Sequence, residues 1–336
     1  MISTNQEHPL TTEYHLNSSS GSENSPLLVF IPGNPGLIDY YTTYLDLIGD
    51  KYPQYDILAI GHAGFQTSDD FVLAGKKDVT FYDLDFQVRH KCSIIKKHVL
   101  LGHTRLSFLC HSVGGYITQR VVALLLKDEE VKHLIKVEFV GLICPTIVDI
   151  AKSDSGVFFT KLFSLLPVVQ LAVCLLAVLQ TVLPDSLARL IISRFVISRP
   201  RLKDAKLIEL WENAVDATYK IYKLRRIARQ ALTLARQELQ VIHRDDEMND
   251  WFFHEIPTTH QIKVWCFFAE SDYWVHDNTR DYILGRYHSQ DNRNVQFQVG
   301  EPSTEHTHAI THAFCIDQSV EFAQITCAAL AAENWQ

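Results

Sequence analysis

Ser112, Asp272 and His312 are the residues of this chain whose types and surroundings suit nucleophilic catalysis. A serine hydroxyl is a weak nucleophile near neutral pH. It needs a histidine to take its proton, and the histidine needs a carboxylate to orient its ring. Ser112 lies in Leu106-Ser107-Phe108-Leu109-Cys110-His111-Ser112-Val113-Gly114-Gly115-Tyr116. The apolar run before it suits a buried strand, and Tyr116 to Leu126 has the apolar spacing of a helix. A serine pinned between strand and helix is a nucleophile elbow: the tight turn lifts the hydroxyl to the sheet's carboxyl edge, and small residues let strand and helix approach. Cys110 stands where the Gly-x-Ser-x-Gly pattern has its first glycine. Cysteine is small, so the turn is strained rather than forbidden. A serine capping the next helix gives the same local pattern, so the elbow requires partners elsewhere.

Those partners follow in the order an elbow serine demands, acid and then histidine, each after a strand. The run Ile262 to Phe268 reads as a strand, and Ala269-Glu270-Ser271-Asp272-Tyr273-Trp274 follows it. Asp272 is placed as the acid, although an aspartate here also suits a helix N-cap. Glu270 is the weaker candidate because it sits nearer the strand end. After a further strand, Val295 to Val299, come His306, His308 and His312. Their spacing raises a metal site, but no carboxylate-rich cluster or His-Glu-x-x-His helix accompanies them. His312, just before Ala313-Phe314-Cys315-Ile316, is placed as the general base; a different register in this loop gives the role to His306 or His308.

An ester carbonyl attacked by serine develops a negative oxygen, which backbone N–H groups must already face. Val113, next to the nucleophile, supplies one. The second belongs to the loop after the strand Leu27 to Ile31, where the sequence is Pro32-Gly33-Asn34-Pro35-Gly36. Proline has no N–H, so Asn34 is the natural donor. Alone, this pentapeptide is simply a tight turn.

The elements that must position these residues alternate. Strands are expected at Leu27 to Ile31, Tyr55 to Ile60, Leu106 to Cys110 and Val137 to Cys144, with helices at Tyr40 to Ile48, Phe81 to Leu101 and Tyr116 to Leu126. Nearly continuous apolar strands between helices indicate a mostly parallel sheet covered on both faces. From Val157 to Glu255 only helical patterning occurs, including a long amphipathic stretch from Leu207 to Val241; a closing helix is expected from Asp317 to Leu330. The reading is an α/β chain in four parts: a polar N-terminal segment (1–25), the first part of the core (26–150), a helical cap over the sheet's carboxyl edge (151–258) and the second part of the core (259–336).

The chain has 336 residues, 47% of them hydrophobic, and a formal net charge of −8. That charge and the lack of basic runs argue against a nucleic-acid partner. Seven cysteines without a Cys-x-x-Cys pair fit a reducing compartment. Residues 1–25 contain no apolar core of a secretory signal. No internal repeat is present.

Pro32-Gly33-Asn34-Pro35-Gly36 with Tyr40-Tyr41, then His111-Ser112-Val113-Gly114, Ser271-Asp272-Tyr273-Trp274 and His312-Ala313-Phe314, resembles the lipid droplet-associated hydrolases. The resemblance runs from about Leu27 to the last helix. Pro-Gly-Asn-Pro-Gly is its most specific motif, and Cys110 and the long spacer between Asp272 and His312 are its departures. It implies an α/β-hydrolase fold and a serine hydrolase of lipid droplets and the cytosolic face of the endoplasmic reticulum, with neutral lipids such as sterol esters as substrates. Ser112, Asp272 and His312 fall on the family's triad positions. The chemistry requires no metal or organic cofactor. An acyltransferase or thioesterase would use the same triad, and a hydrolase-fold scaffold organising droplets is the reading from another class.

The run Leu162 to Leu183 is uncharged, 22 residues by inclusive count, and polar at Ser164, Gln170, Gln180 and Thr181, which share no helical face. That is the ~20-residue length of a spanning helix. One crossing is excluded, because Ser112 precedes the run while Asp272 and His312 follow it. Pro167 favours a break. A re-entrant hairpin or a helix lying in the lipid surface is therefore expected over 157–183, with Arg189, Arg194, Arg199, Arg201 and Lys203 beside anionic headgroups. A buried cap helix is the alternative.

Overall fold

The computed structural model describes residues 2–4, 10–19, 25–67, 81–200, 204–289, 292–300 and 309–331. Its strands are β1 (Ile2–Thr4), β2 (Thr12–Leu16), β3 (Leu27–Ile31), β4 (Asp56–Ile60), β5 (Arg105–His111), β6 (Lys136–Ile143), β7 (Lys263–Ala269) and β8 (Val295–Gly300). They form one sheet in the order β1-β2-β4-β3-β5-β6-β7-β8. From β4 to β8 every pairing is parallel. All five residues of β3 are buried, as are the last six of β5 and of β7. Parallel strands covered on both faces bury consecutive residues, which is why these runs read as continuous apolar sequence.

The N-terminal segment expected only to be polar contributes β1 and β2, which pair antiparallel with each other and add β2 to the free edge of β4. No alternation marked β2: Thr12, Glu13 and Tyr14 are all buried. It forms because pairing satisfies the backbone groups that β4 would otherwise leave open.

The helices are α1 (Thr42–Lys51), α2 (Leu84–Leu100), α3 (Val113–Lys127), α4 (Asp154–Leu165), α5 (Val168–Val182), α6 (Asp185–Ile191), α7 (Ala205–Lys223), α8 (Arg225–Val241), α9 (Asp246–Asp250), α10 (Ile256–Thr259), α11 (Asp277–Tyr287) and α12 (Ser319–Leu330). The block α4 to α10 separates β6 from β7. Single π-helical turns, Ile192–Val196 and Trp251–Glu255, extend α6 and α9. The amphipathic stretch from Leu207 to Val241 forms two helices, α7 and α8, broken at Leu224. The carbonyls freed at the end of α7 are met by the Gln180 amide, which donates to Tyr222 and, at 3.2 Å, to Lys223.

The apolar run Leu162 to Leu183 breaks at Leu166-Pro167, where α4 and α5 bend by 85°, and no single helix among the described residues is long and apolar enough to cross a membrane. Nor is the run a buried cap helix: Gly156 is the buried residue of α4, and Val169 that of α5. Leu171, Leu175, Val178 and Val182 form an outward stripe on α5, and Leu165, Leu190, Phe195 and Val196 continue the exposed apolar surface. Arg189 on this block pairs with Asp216 at 2.6 Å, and Arg199 lies over the Trp211 ring. Arg201 and Lys203 lie outside the described residues.

Candidate active site

The sheet changes direction at β3: the chain steps to β4 on one side and returns to β5 on the other. The loops leaving the carboxyl ends of β3 and β5 are thereby neighbours, at the switch point where open parallel sheets take their ligands. The Pro32-Gly33-Asn34 loop and Ser112 meet there, and Ile31 is paired with Cys110 just beneath.

Ser112 has φ 53° and ψ −123°, strained backbone for a residue with a side chain, worth about 1–3 kcal/mol. Three contacts hold the turn: its N–H donates to the Ile143 carbonyl at 2.9 Å, and its carbonyl accepts from Gly115 and Thr146. Gly114 allows the close crossing, since a Cβ there would fall 2.4 Å from the Ile31 carbonyl oxygen. Cys110, the departure from the elbow pattern, is buried in regular strand and its thiol donates to the Gly141 carbonyl at 3.3 Å. Burial pushes that thiol up to about 12, so it stays protonated.

The structure brings the three sequence-predicted residues together. Ser112 Oγ lies 3.0 Å from His312 Nε2, and His312 Nδ1 lies 2.7 Å from Asp272 Oδ2. The Asp272 side chain is 3% exposed, and its second oxygen accepts the N–H groups of Trp274 and Val275 at 2.7 and 3.1 Å. The carboxylate is thus aimed by its own loop. His312 is set by Gln318, whose amide accepts from Thr311 and donates to the Ala309 carbonyl, closing the loop onto the start of α12. Glu270 is exposed, with its carbonyl taken by Arg280. His306 and His308 lie outside the described residues.

Val113 opens α3, where first-turn N–H groups have no carbonyl of their own helix to bond and the helix dipole favours negative charge. Asn34 sits across from it on the β3 loop. Its side-chain amide donates to the Ala231 carbonyl at 3.0 Å and to Glu238 Oε1 at 2.8 Å, fastening the loop to α8. Glu238 is buried, and that burial pushes its carboxyl up to about 8. In the sequence it is one charged residue of an amphipathic helix, and no signal separates it from the solvated ones.

A cavity of about 340 Å³ opens over Ser112, lined on its apolar side by Tyr40, Phe159, Phe163, Leu232, Leu239 and Trp274. Phe159 of α4 stacks on Trp274 of the acid loop, 5.6 Å apart and 9° from parallel, and the Ser155 N–H donates to the Tyr273 carbonyl. The cap therefore touches both the acid loop and the oxyanion loop. The ligand atoms of Cys144, Asp272 and His312 lie within 4.8 Å of one another. Burial and the Asp272 charge hold the Cys144 thiol well above its usual range, and the Asp272 and His312 ligand atoms are bonded to each other at 2.7 Å. This donor set fits a carboxylate–histidine pair better than a metal centre.

The family model for lipid-droplet associated hydrolases matches residues 24–315. The lipid droplet-associated hydrolase of Gallus gallus is 26% identical over 318 residues, covering 91% of this chain and 85% of that protein. That of Mus musculus is 30% identical over 152 residues, 41% of this chain and 43% of that one. Among solved structures, a carboxylesterase of the archaeon Nitrososphaera gargenis superposes with a TM-score of 0.55 at 14% identity, over 98% of this chain and 97% of that one. The peroxisomal alpha-beta-hydrolase of Saccharomyces cerevisiae gives 0.59 at 12% identity, over 97% and 82%. At such identities the structural likeness speaks for the fold: an α/β-hydrolase.

Proposed function

The chain belongs to the lipid-droplet associated hydrolase family, and from that premise we propose that it is a serine hydrolase cleaving ester bonds of neutral lipids, sterol esters among them. The observation that carries this reading is the run Ser112 Oγ, His312 Nε2, His312 Nδ1, Asp272 Oδ2, with heavy-atom separations of 3.0 and 2.7 Å. In this mechanism His312 takes the Ser112 proton as Oγ attacks the ester carbonyl, and Asp272 keeps Nδ1 protonated and stabilises the imidazolium. The Val113 and Asn34 N–H groups hold the oxyanion. His312 then gives the proton to the leaving alcohol, and water, activated by the same ring, releases the acid from the acyl-enzyme. The apolar cavity wall supports a hydrocarbon substrate rather than a charged one.

The exposed apolar surface of α4 to α6 supports attachment to lipid, since a patch of this kind on a protein surface marks an interaction site. The 85° bend favours a pair of helices lying in a lipid surface or a re-entrant hairpin over a straight crossing. A droplet monolayer suits this geometry, because neither arrangement needs an aqueous far side; the cytosolic leaflet of the endoplasmic reticulum offers a similar surface. The full chain should be labelled by a fluorophosphonate probe and should hydrolyse a long-chain ester emulsion. Ser112→Ala should abolish both while leaving the circular dichroism unchanged. Undiminished turnover by folded Ser112→Ala would reject the mechanism.

A further inference from the structure

Beside the Ser112–His312–Asp272 run lies a second chain of hydrogen bonds, which reaches none of the reacting atoms. The Gly33 N–H donates to Tyr41 Oη at 3.2 Å, Tyr41 Oη is 2.8 Å from His111 Nδ1, and His111 Nε2 is 2.8 Å from the His312 carbonyl. Its protons follow from donor and acceptor chemistry together with the burial of the His111 ring. A carbonyl only accepts, so His111 Nε2 carries a hydrogen. A backbone amide only donates, so Tyr41 Oη accepts from Gly33; burial keeps the His111 ring neutral, so with Nε2 protonated Nδ1 is bare and accepts the Tyr41 proton. His111 is thus a neutral ring of one defined tautomer, and its burial and the nearby His312 hold it well below the usual histidine range. The bonds point head to tail, an arrangement in which each polarises the next.

Gly33, His111 and His312 of this chain stand at or beyond the carboxyl ends of three different strands. Gly33 is next to Asn34 on the loop after β3, His111 precedes the nucleophile at the end of β5, and His312 follows β8. In the sheet β8 is three places from β5, about 14 Å at the usual strand spacing, so His312, which follows β8 in the chain, meets the serine on the far side of β6 and β7. Its carbonyl is caught by His111 on arrival. On the other side the Gly33 backbone rests on the elbow: a Cβ there would lie 3.0 Å from His111 Nδ1 and 3.1 Å from Ser112 Cβ. The buried His111 ring is packed edge-on to Phe314, 5.1 Å away, and to Tyr41, 5.8 Å away.

We propose that Tyr41 and His111 are positioning residues that set the spacing between the oxyanion loop and the base loop, so that the Asn34 and Val113 N–H groups and the His312 ring address one carbonyl together. The inference rests on the proposed Ser112 mechanism and adds to it two residues that border the cavity but bond to none of the reacting atoms. Tyr41→Phe removes one hydroxyl and keeps the ring that packs on Phe30 and Phe314. His111→Gln offers an amide donor for the His312 carbonyl and leaves carbon where Nδ1 accepts from Tyr41.

With p-nitrophenyl butyrate and the full chain, each single variant should lose about 10- to 100-fold in kcat with KM within about twofold, the scale of a small misplacement of reacting groups. The double variant should lose little more than the worse single one, because both break the same run. Active-site counting with a fluorophosphonate separates position from folding. Normal kcat per labelled site with fewer sites would mean a purely structural role and would overturn the proposal, as would unchanged kcat in folded Tyr41→Phe or multiplicative losses in the double variant. If Tyr41→Phe does not fold, histidine-selective ¹⁵N spectra of the unaltered protein serve instead. His111 should show the Nε2–H tautomer and no titration between pH 5 and 9; an imidazolium or an Nδ1–H tautomer would overturn it. Full activity in Ser112→Ala, by contrast, would strike the mechanism beneath the proposal.

Discussion

β3 and α5 carry the same kind of sequence and meet opposite fates. Leu27 to Ile31 are at most 2% exposed, packed on both faces between helices. On α5, Leu175 is 59% exposed and Val182 66%, and Phe195 beyond it reaches 84%. An apolar run states only that its residues prefer to leave water; which apolar surroundings receive them depends on what the fold places next to them. At the sheet, parallel neighbours and covering helices surround the strands. In the cap, α8 covers one side of α5, and on the other side Leu171, Leu175, Val178 and Val182 stay exposed among the described residues. In the function we propose, the chemistry belongs to the covered region and the uncovered region faces the phase from which a lipid would come.

That division breaks most directly at the base. If catalysis belongs to the sheet's edge, His312→Gln should lower turnover by roughly 10⁴-fold or more, approaching the loss in Ser112→Ala, because triad members act as a unit. His306→Gln and His308→Gln should each change kcat/KM by less than about threefold. Single-turnover kinetics on purified variants decide it; an inactive His306→Gln or His308→Gln with an active His312→Gln would move the base to another position.

The covered region was also the legible one. Each parallel strand from β3 to β7 arises where a nearly continuous apolar run announced it, because burial on both faces writes itself into consecutive residues; the edge strand β8 alternates, Val295-Gln296-Phe297-Gln298-Val299, and buries only Val295 and Gly300. β2 did not, since its buried residues are Thr12, Glu13 and Tyr14, held by pairing to β4 rather than by hydrophobicity. α11 escaped because its inward positions Thr279, Ile283 and Tyr287, though spaced by four, are not a hydrophobic stripe. At the site, Ser112, Asp272 and His312 were readable because each follows a strand and belongs to a known chemistry. Glu238 was not, because its role depends on where α8 lands, 204 residues along the chain from Asn34. Tyr41 and His111 were readable as motif letters but not as partners.

Truncation inside the sheet should cost stability heavily. Phe108 on β5 is fully buried, and Phe108→Ala should destabilise the fold by about 3–5 kcal/mol, transfer and cavity terms together. Urea midpoints measure this; a loss under about 1 kcal/mol would mean that the sheet is not the tightly packed region.

Glu238 is where the cap is buried like the core, and its carboxyl makes that junction sensitive to pH. Held at about 8 when folded against an ordinary value near 4.5, it keeps a proton that the unfolded chain releases. Its contribution to stability is therefore whole below pH ~4.5, falls as pH rises, and stops falling above about 8, with a slope of at most about 1.4 kcal/mol per pH unit. Glu238→Gln keeps an acceptor for Asn34 and cannot ionise. Relative to the unaltered chain it should gain stability steadily from pH 5 to 8 and then hold level. Urea melts at unit pH steps check it, and a constant difference between the two proteins would mean that the carboxyl is solvated.

The smallest effect on the fold is expected at Leu175, and it separates the two regions most cleanly. Leu→Ala in a packed core costs about 2–5 kcal/mol, whereas a surface change away from special features stays within about 0.5 kcal/mol. Since the Leu175 side chain is mostly uncovered, Leu175→Ala should leave the urea midpoint in place. If the same side chain enters lipid, removing roughly three carbons at ~0.8 kcal/mol each withdraws about 2 kcal/mol of transfer energy, some 30-fold in partitioning. Flotation with phospholipid-coated triglyceride emulsions reads that ratio directly. Weaker flotation with unchanged stability places α5 in the lipid surface. Unchanged flotation with a fold destabilised by several kcal/mol would place it against protein, and the contrast between sheet and cap would disappear.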